Sequence, residues 1–314
     1  MLCVGGEALV DLVPAPATGA GELGALLPLP GGGPYNVAVA LGRLGVPVRF
    51  LSRLSTDAFG DALLDRLAVS GVDTSLVQRG AEPTTLAVAG ISPDGSARYS
   101  FHVEGTADRL VADPGELPAD VTTLSLGTLS LLLEPGATTY ETLLRRHSAR
   151  GGLTVLDPNV RPGLVADPAA YRARFASWLP DVAVLKLSVE DAAWLADGTA
   201  DVVGAVREWL TAGPAAAVLT HGADGITAIT AAGDEVEVPT VPAAVVDTIG
   251  AGDTVHAALL AWLHEHGVTN PAAVRDIPPN GWRDALTYAA RAAAVTVSRA
   301  GAEPPYAAEL RNHP

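Results

Sequence analysis

Short runs of apolar and β-branched residues alternate with longer Ala- and Leu-rich stretches along most of the 314-residue chain. The short runs predict buried strands, and the longer stretches repeat their apolar positions at helical spacing. The predicted strands are Leu2–Val4, Val48–Ser52, Thr123–Leu126, Leu153–Leu156, Val182–Leu185 and Ala217–Thr220. The predicted helices are Tyr35–Leu44, Ala58–Ser70, Tyr140–Ala149, Ala169–Trp178, Val202–Leu210, Gly252–His266 and Arg283–Val297. This order favours an α/β fold, a three-layer α/β/α sandwich whose central sheet is mostly parallel.

Two early segments interrupt this alternation. Leu9–Leu29 and Thr84–Phe101 contain short strand-like pieces with turn signals between them, Ala17–Gly19 and Pro93–Gly95, and no helix. Such hairpins could form a small separate sheet. We therefore expect an α/β core made of residues 1–10, 35–82 and 105–314, and a β-sheet lid made of residues 11–34 and 83–104.

Composition narrows the class of protein further. Apolar residues make up 48% of the chain, which is enough for a sizeable core, but their uninterrupted runs are much shorter than a membrane span. The N-terminus has no basic region before its first acid, and one cysteine cannot form an internal disulfide. These features predict a cytoplasmic protein without a membrane partner.

The net charge disfavours polyanionic ligands and requires local groups to bind any small anion. The chain has 35 acidic and 20 basic residues, so its net charge of −15 repels polyanions and disfavours nucleic-acid binding. A small anion would have to be held locally, by a helix N-terminus, backbone N–H groups, a divalent cation or a few basic side chains. Lys186 is the only lysine, which makes it a candidate for a role that arginine fills poorly.

The most informative segment, Val245–Val255, joins a strand to a helix through a glycine-rich turn. The N–H groups of Gly250, Ala251, Gly252 and Asp253 would lie at the positive end of the helix dipole, where an anion binds. A phosphoryl group that gains charge in a transition state suits such a turn. The carboxylate of Asp253 suits a general base that takes a proton from an attacking hydroxyl, although an aspartate here could also simply cap the helix.

Several segments together carry a resemblance to a known family. Asp247–Asp253 resembles the C-terminal signature of the ribokinase-like (PfkB) carbohydrate kinases, and Gly31–Gly45 resembles their N-terminal signature. The likeness continues in order through the segments Ser55–Gly60, Asp157–Arg161, Lys186–Asp191, Thr220–Gly225 and Arg299–Ala302. The segments that begin at Asp157 and Lys186 are most similar to fructokinase-type members. The resemblance implies a ribokinase-like fold and an ATP-dependent sugar kinase.

The resemblance also implies which residues hold the sugar. An acid after the first strand binds sugar hydroxyls, two glycines let the sugar approach the backbone, and the lid places side chains over it. In this chain the matching residues are Asp11, Gly32, Gly33, Asn36, Phe101, His102, Arg161 and the base Asp253. From the residues alone, Asp11 could also be a loop acid, and His102 could equally be a surface strand residue.

The nucleotide and cation sites follow from the same resemblance. The residues matched to ATP are Lys186, Ser188, Thr220, Gly222, Gly225, Gly250 and Gly252. Asp191 stands where the family usually has a glutamate that organises Mg²⁺ through water; its side chain is one methylene shorter, and Glu190 is adjacent. Asp247 and the carbonyl of Ile249 match positions that bind a monovalent cation, so K⁺ activation is plausible.

Together these features predict a kinase that phosphorylates a primary hydroxyl of fructose or a related ketose, with ATP and Mg²⁺. Ribose, a nucleoside and a 2-keto-3-deoxy sugar acid remain open, and Arg98 could supply the cation that an acid requires. A non-catalytic sugar or nucleotide sensor on the same fold is the alternative of another class. A dinucleotide-dependent oxidoreductase would need a glycine fingerprint that the sequence lacks. By analogy with the family, exposed lid edges could pair two copies into a homodimer.

Overall fold

The computed structural model describes residues 1–15, 24–91 and 97–312. Its strands are β1 (Leu2–Gly5), β2 (Leu9–Pro14), β3 (Leu26–Gly31), β4 (Val48–Ser55), β5 (Val77–Gly80), β6 (Thr85–Ile91), β7 (Ala97–His102), β8 (Thr123–Gly127), β9 (Leu153–Asp157), β10 (Val184–Ser188), β11 (Ala216–Thr220), β12 (Ile226–Thr230) and β13 (Glu235–Val238). Its helices are α1 (Gly33–Arg43), α2 (Ala58–Val69), α3 (Gly136–Ala149), α4 (Pro168–Trp178), α5 (Val189–Leu195), α6 (Val202–Thr211), α7 (Ala251–Glu265), α8 (Pro271–Arg275), α9 (Pro279–Val297) and α10 (Ala307–Asn312).

Nine strands form the central sheet, in the order β13-β12-β11-β10-β9-β8-β1-β4-β5. The pairs from β11 through to β5 are parallel, and only the β11–β12 and β12–β13 pairs are antiparallel. The predicted mostly parallel sheet is therefore confirmed. The chain order reverses between β8 and β1, which places a crevice at the carboxyl ends of these two strands.

Helices cover both faces of the sheet, each over its own apolar cluster. On one face, α1, α2, α7 and α9 pack around the fully buried Trp282. On the other face, α3, α4, α5 and α6 pack around the fully buried Trp178. The two clusters lie on opposite faces because successive strand residues point to opposite sides: Leu2 belongs to the first cluster and Cys3 to the second. The predicted three layers are confirmed.

A second, four-stranded sheet lies outside these layers, in the order β3-β2-β6-β7. We call it the lid sheet. The β2–β3 and β6–β7 pairs are antiparallel, as expected for hairpins, and β2 pairs with β6 in parallel. The predicted turns Ala17–Gly19 and Pro93–Gly95 lie outside the described residues. Within residues 1–15, 24–91 and 97–312, no helix has both the length and the apolarity needed to cross a bilayer.

Candidate active site

A cavity of about 470 Å³ opens at the carboxyl ends of β1, β8, β9 and β10, beneath the lid sheet. This is where the sheet order reverses and where ligands bind in open α/β sheets. Sequence-predicted residues among its lining are Asp11, Gly32, Gly33, Asn36, Phe101, Arg161, Lys186, Ser188, Asp191, Ile249, Gly250, Gly252 and Asp253. The fold thus brings together residues from both ends of the chain around one polar space.

The glycine-rich turn opens α7 at the wall of this cavity. Gly250 has a left-handed backbone (φ 75°), and a Cβ there would lie 2.7 Å from the Ala302 side chain, so glycine is required. The N–H of Ala251 donates to the Thr248 carbonyl at 3.2 Å. Among the described residues, the N–H groups of Gly250, Gly252 and Asp253 meet no acceptor. Three of the four predicted donors can therefore face an anion, and Ala251 already has a partner.

Asp253 lies in the first turn of α7 with its carboxylate on the cavity. Its Oδ2 accepts a hydrogen bond of 2.8 Å from the Asn36 side chain on α1. Burial raises the pKa of Asp253 to about 6, while this hydrogen bond and the nearby Lys186 ammonium oppose the rise. A carboxyl group with a pKa close to neutral is suited to taking and returning a proton.

Asp11 on β2 is the second acid that faces the cavity. Burial raises its pKa to about 6, the Arg161 guanidinium counteracts this, and the charge of Asp253 adds to the rise. A Cβ on Gly31 would lie 2.2 Å from Asp11 Oδ2, so the glycine of the paired strand makes room for the carboxylate. Two acids therefore face a common space that also contains Arg161.

Lys186 is buried rather than solvated, with 4% of its surface exposed. Its Nζ donates to Asp157 Oδ2 at 2.8 Å, across the parallel strands β9 and β10. The ammonium lies against the glycine turn, 3.3 Å from where a Cβ of Gly252 would be. Lys186 thus brings a positive charge to the turn, and Asp157 compensates that charge in the interior.

Asp191 meets the cavity, but protein donors already engage its carboxylate. Oδ2 accepts from the Ser188 hydroxyl at 2.8 Å in a capping box that starts α5, and Oδ1 accepts from the Val160 N–H at 2.8 Å. The exposed Glu190 also lines the cavity. The described residues contain no group of three or more His, Cys, Asp or Glu side chains placed to hold a metal ion. The carboxylates of Asp191 and Glu190 fit a Mg²⁺ ion that is held mainly by the nucleotide and by water, with Asp191 contacting it through water.

The Asp247 loop is tied to the C-terminal part of the chain. Asp247 Oδ1 accepts from the Ile249 N–H at 3.0 Å, and Oδ2 accepts from the Gly301 N–H at 2.8 Å. The loop also pairs with the Val297 carbonyl through the N–H of Val246. Carboxylate and carbonyl oxygens are the donors that a hard cation prefers, so this loop fits the predicted K⁺ site.

The structure does not bring every predicted residue to the cavity. His102 is exposed and lies on the opposite face of β7 from Phe101, so it does not line this cavity, and its predicted contact with the sugar stays a prediction. Strand β11, which pairs with β10, ends at Thr220, and Gly222 and Gly225 lie in the loop that follows it. None of these three residues lines this cavity. The Arg98 side chain lies outside the described part of the structure.

Besides the apolar Leu9, Leu129 and Val160, sequence reasoning missed four polar lining residues. Tyr99 lies two positions before Phe101 on β7, and strand alternation could have predicted it. Asn159 lies inside the family-like segment Asp157–Arg161, which could have indicated it. Glu7 and Thr128 carry no comparable signal, because only the fold brings them to the cavity. Glu7 is buried and accepts hydrogen bonds from the N–H groups of Gly33 and Ser130, so it links two turns of the wall.

Comparison with known proteins identifies the family. A sequence model described as pfkB family carbohydrate kinase matches residues 1–308. The chain belongs to this family. This pfkB-family chain is 40% identical over 266 residues to a fructokinase from Rhizobium leguminosarum bv. trifolii, covering 84% of this chain and 79% of that protein.

Solved structures agree with this assignment. A fructokinase from Xylella fastidiosa with bound ATP superimposes with a TM-score of 0.90 and 29% identity, covering 99% of this pfkB-family chain and 97% of that one. An aminoimidazole riboside kinase from Salmonella enterica superimposes with a TM-score of 0.82 and 25% identity, covering 99% and 98%. The predicted family and the ribokinase-like fold are confirmed. The protein is thus a carbohydrate kinase, a phosphotransferase with an alcohol acceptor, and its family implies ATP as a substrate.

Proposed function

We propose that this carbohydrate kinase transfers the γ-phosphoryl group of ATP to a primary hydroxyl of fructose. The observation that carries the proposal is the Asp253 carboxylate, which faces the cavity at the start of α7. It lies beside backbone N–H groups that meet no acceptor within residues 1–15, 24–91 and 97–312. The similarity to the Rhizobium fructokinase supports fructose as the acceptor.

The geometry supports one sequence of events at the turn. Asp253 accepts the proton of the sugar hydroxyl, and the oxygen attacks the γ-phosphorus in line. The bond from the γ-phosphorus to the bridging oxygen of ADP breaks, and ADP leaves with that electron pair. The N–H groups of Gly250, Gly252 and Asp253 stabilise negative charge on the transferring group. Ala251 contributes its small size rather than its N–H.

The sugar would lie between the lid sheet and α1. Asp11 would accept hydrogen bonds from two sugar hydroxyls, and Asn36 at the start of α1 would bind a third while it holds the base. Gly32 and Gly33 would leave the backbone open beside the sugar. A side chain would not fit at Gly33, since its Cβ would lie 2.5 Å from the Thr128 hydroxyl. The lid would contribute Phe101, and Arg161 would balance the acids.

The nucleotide would extend from the turn along the ends of β10 and β11. Lys186 and Ser188 line the cavity, and Thr220 is in register with Ser188 on the neighbouring strand. The loop of Gly222 and Gly225 follows, and both glycines have a positive φ. When bound, Mg²⁺ would offset phosphate charge, held through water by Asp191, and K⁺ would sit at Asp247 and the Ile249 carbonyl.

The charges of the cavity favour a neutral sugar over a sugar acid. Asp11, Glu190, Asp191 and Asp253 already bring four aspartate and glutamate side chains to its lining, while burial raises the pKa of Glu7 to about 8 and favours its neutral form. Of the described cations there, Lys186 is paired with Asp157, and Arg161 donates to the carbonyl and side-chain oxygens of Asn159. A substrate carboxylate would add a further negative charge beside these acids, which is costly in a partly buried site.

A coupled ADP-release assay on a panel of fructose, ribose, 2-keto-3-deoxygluconate and adenosine tests the proposal. We expect the highest kcat/KM with fructose. The Asp253→Asn variant should bind ATP normally in titration calorimetry but lower kcat by about 10²–10⁴, the usual effect of a lost general base. Asp284→Asn, at an exposed position of α9, is the matched control and should leave kcat unchanged.

Each part of the proposal has its own contrary result. A higher kcat/KM with another sugar would replace fructose as the substrate. Near-normal turnover by Asp253→Asn would remove the base assignment. Ligand binding by the native protein with ADP release at background would favour the sensor instead.

We also propose a homodimer formed through the lid sheet. Strand β3 is an edge of that sheet, and its Leu26, Leu27 and Leu29 side chains are exposed. Pro28 and Pro30 remove backbone donors from this edge, so we expect the two copies to meet through these apolar side chains rather than through strand pairing.

A further inference from the structure

A second, much smaller cavity adjoins the main one and shares Asp253 with it. Its volume is about 10 Å³, close to the space that one water molecule occupies. Beside Asp253, its polar lining includes Asp157 at the end of β9, His256 one turn further along α7, and Ser125 on β8. The proposed function gives none of the last three a role in the reaction beyond the pairing of Asp157 with Lys186.

Asp157 and His256 each present an unpartnered polar atom in this region. Asp157 is 6% exposed; its Oδ2 accepts from Lys186, but no donor among the described residues reaches its Oδ1. His256 is 1% exposed, and its Nδ1 likewise lacks a partner within the described residues. The Nδ1 lies 3.7 Å from Asp157 Oδ2, which is too far for a direct hydrogen bond. Buried polar atoms are rarely left in this state, and a bridging water is the usual solution.

The protonation of His256 determines which hydrogen-bond donors and acceptors the small cavity presents. Burial lowers the pKa of His256 to about 3, and the Lys186 charge adds to this, so the ring is neutral with one N–H. The Ser125 hydroxyl lies 2.8 Å from Nε2 and can donate to it, which leaves the ring proton on Nδ1. The cavity then presents one donor, the Nδ1–H, and two acceptors, Asp157 Oδ1 and the Asp253 carboxylate. One water molecule matches this set completely, because it accepts one hydrogen bond and donates two.

We propose that the small cavity binds one ordered water molecule, and that His256 and Asp157 are positioning residues that act on the base Asp253 through it. The water accepts from His256 Nδ1–H and donates to Asp157 and Asp253. A hydrogen bond donated to Asp253 favours its ionised form, which is the form that takes the proton from the sugar. The kinetic part of this inference rests on the proposed role of Asp253.

The first experiment is a crystal structure of the native protein at a resolution that shows ordered water throughout the core. We expect one density peak within hydrogen-bond distance of His256 Nδ1, Asp157 Oδ1 and an Asp253 oxygen. A well-ordered core with no such peak would overturn the proposal. This result does not depend on activity, so it stands apart from any failure of the fructose assignment.

The second experiment uses two variants that each keep one half of the imidazole. In His256→Asn the amide lies near the position of Nδ1 and can still meet the water. In His256→Gln the longer amide reaches the position of Nε2 and keeps Ser125 but loses the cavity contact. We expect His256→Gln to lower kcat about tenfold, as for a lost hydrogen bond to a charged group, with KM for sugar and ATP unchanged. His256→Asn should retain kcat within about threefold.

The pH profile separates this role from a purely structural one. Without the donated hydrogen bond, Asp253 should need a higher pH to ionise, so the acidic limb of kcat should move to higher pH in His256→Gln only. The groups that face Asp253 and set this limb are Asn36, Lys186, Asp157, Arg161 and Asp11, and none of them changes in the variants. Thermal melts confirm that both variants fold. Equal losses in the two variants without movement of the limb would contradict the proposal.

Discussion

Asp253, the proposed base, lies in an environment that suits proton transfer but lowers the stability of the fold. Burial favours the neutral acid and raises its pKa to about 6, while Asn36 and Lys186 keep the ionised form within reach at neutral pH. A base with a pKa close to the working pH is both present in the right form and able to hold the proton. The same environment makes the ionised folded protein less stable than it would be with a neutral side chain.

Asp253→Asn is therefore expected to stabilise the protein above about pH 6. The pKa of Asp253 is higher in the folded protein than its ordinary 3.8, so native stability falls as pH rises from about 4 to 6. Asparagine does not titrate, so the variant should gain about 2–3 kcal/mol at pH 8, and this gain should disappear toward pH 4. Urea unfolding at pH 8 and pH 4 measures the free energies.

The control for that measurement is the exposed Asp284→Asn, which should show no pH-dependent gain. Equal stability of Asp253→Asn and the native protein at pH 8 would mean that burial does not penalise the ionised base.

The residues of the site differ in how far sequence could predict their surroundings. The glycine-rich pattern locates Asp253 at the start of a helix, because glycines, caps and apolar spacing are local signals. The hydrogen bond from Asn36 spans 217 residues, so only the assembled fold provides it. The burial of Lys186 is similar: its partner Asp157 belongs to the neighbouring strand, and a single lysine in a sequence gives no indication of its partner.

At the level of elements, the side chains of strand β7 point alternately to the cavity and to the opposite face of the lid sheet. Tyr99 and Phe101 stack with ring centroids 6.1 Å apart, and both line the cavity. His102, the next residue, is exposed on the other face of the lid sheet. Phe101 is therefore a suitable position for a test variant, and His102 is its control on the same strand.

Phe101→Ala is expected to raise KM for fructose about tenfold, because an aromatic contact with the bound sugar is lost. KM for ATP should not change, since β7 lies at the sugar end of the cavity. His102→Ala should leave both constants as they are. Steady-state kinetics with each substrate varied measures the effect, and a larger change for His102→Ala would return that residue to the sugar site.

Elements differed in their predictability for a physical reason. The seven long helices were predicted because three or more turns repeat their apolar positions, although α9 begins at Pro279, four residues earlier than expected. The short helices α5, α8 and α10 have five to seven residues and too few turns to show a period. Helix α5 does have a signal, the capping box of Ser188 and Asp191, but the family resemblance assigns Ser188 to ATP and Asp191 to Mg²⁺ instead.

At the scale of the whole molecule, the proposed homodimer is formed by the edge of the lid sheet. We expect sedimentation equilibrium to give twice the chain mass of 31.9 kDa. Leu27→Arg in β3 should shift the protein to the single-chain mass, because it places a charge in the apolar edge. Val69→Arg, at an 80% exposed position of α2 away from the lid, should remain dimeric. A native protein that sediments at 31.9 kDa would contradict the proposal.

The hydrogen bond between Asn36 and Asp253 has a consequence for biosynthesis. A ribosome that has translated the proposed sugar-binding turn and α1 must add more than 200 further residues before the proposed base exists, and α7 must then dock against α1. Throughout that interval, a nascent chain lacks the proposed base, and we expect it not to consume ATP. Fragments released by premature termination should be equally inert, so incomplete translation products would not drain the nucleotide pool of a cell.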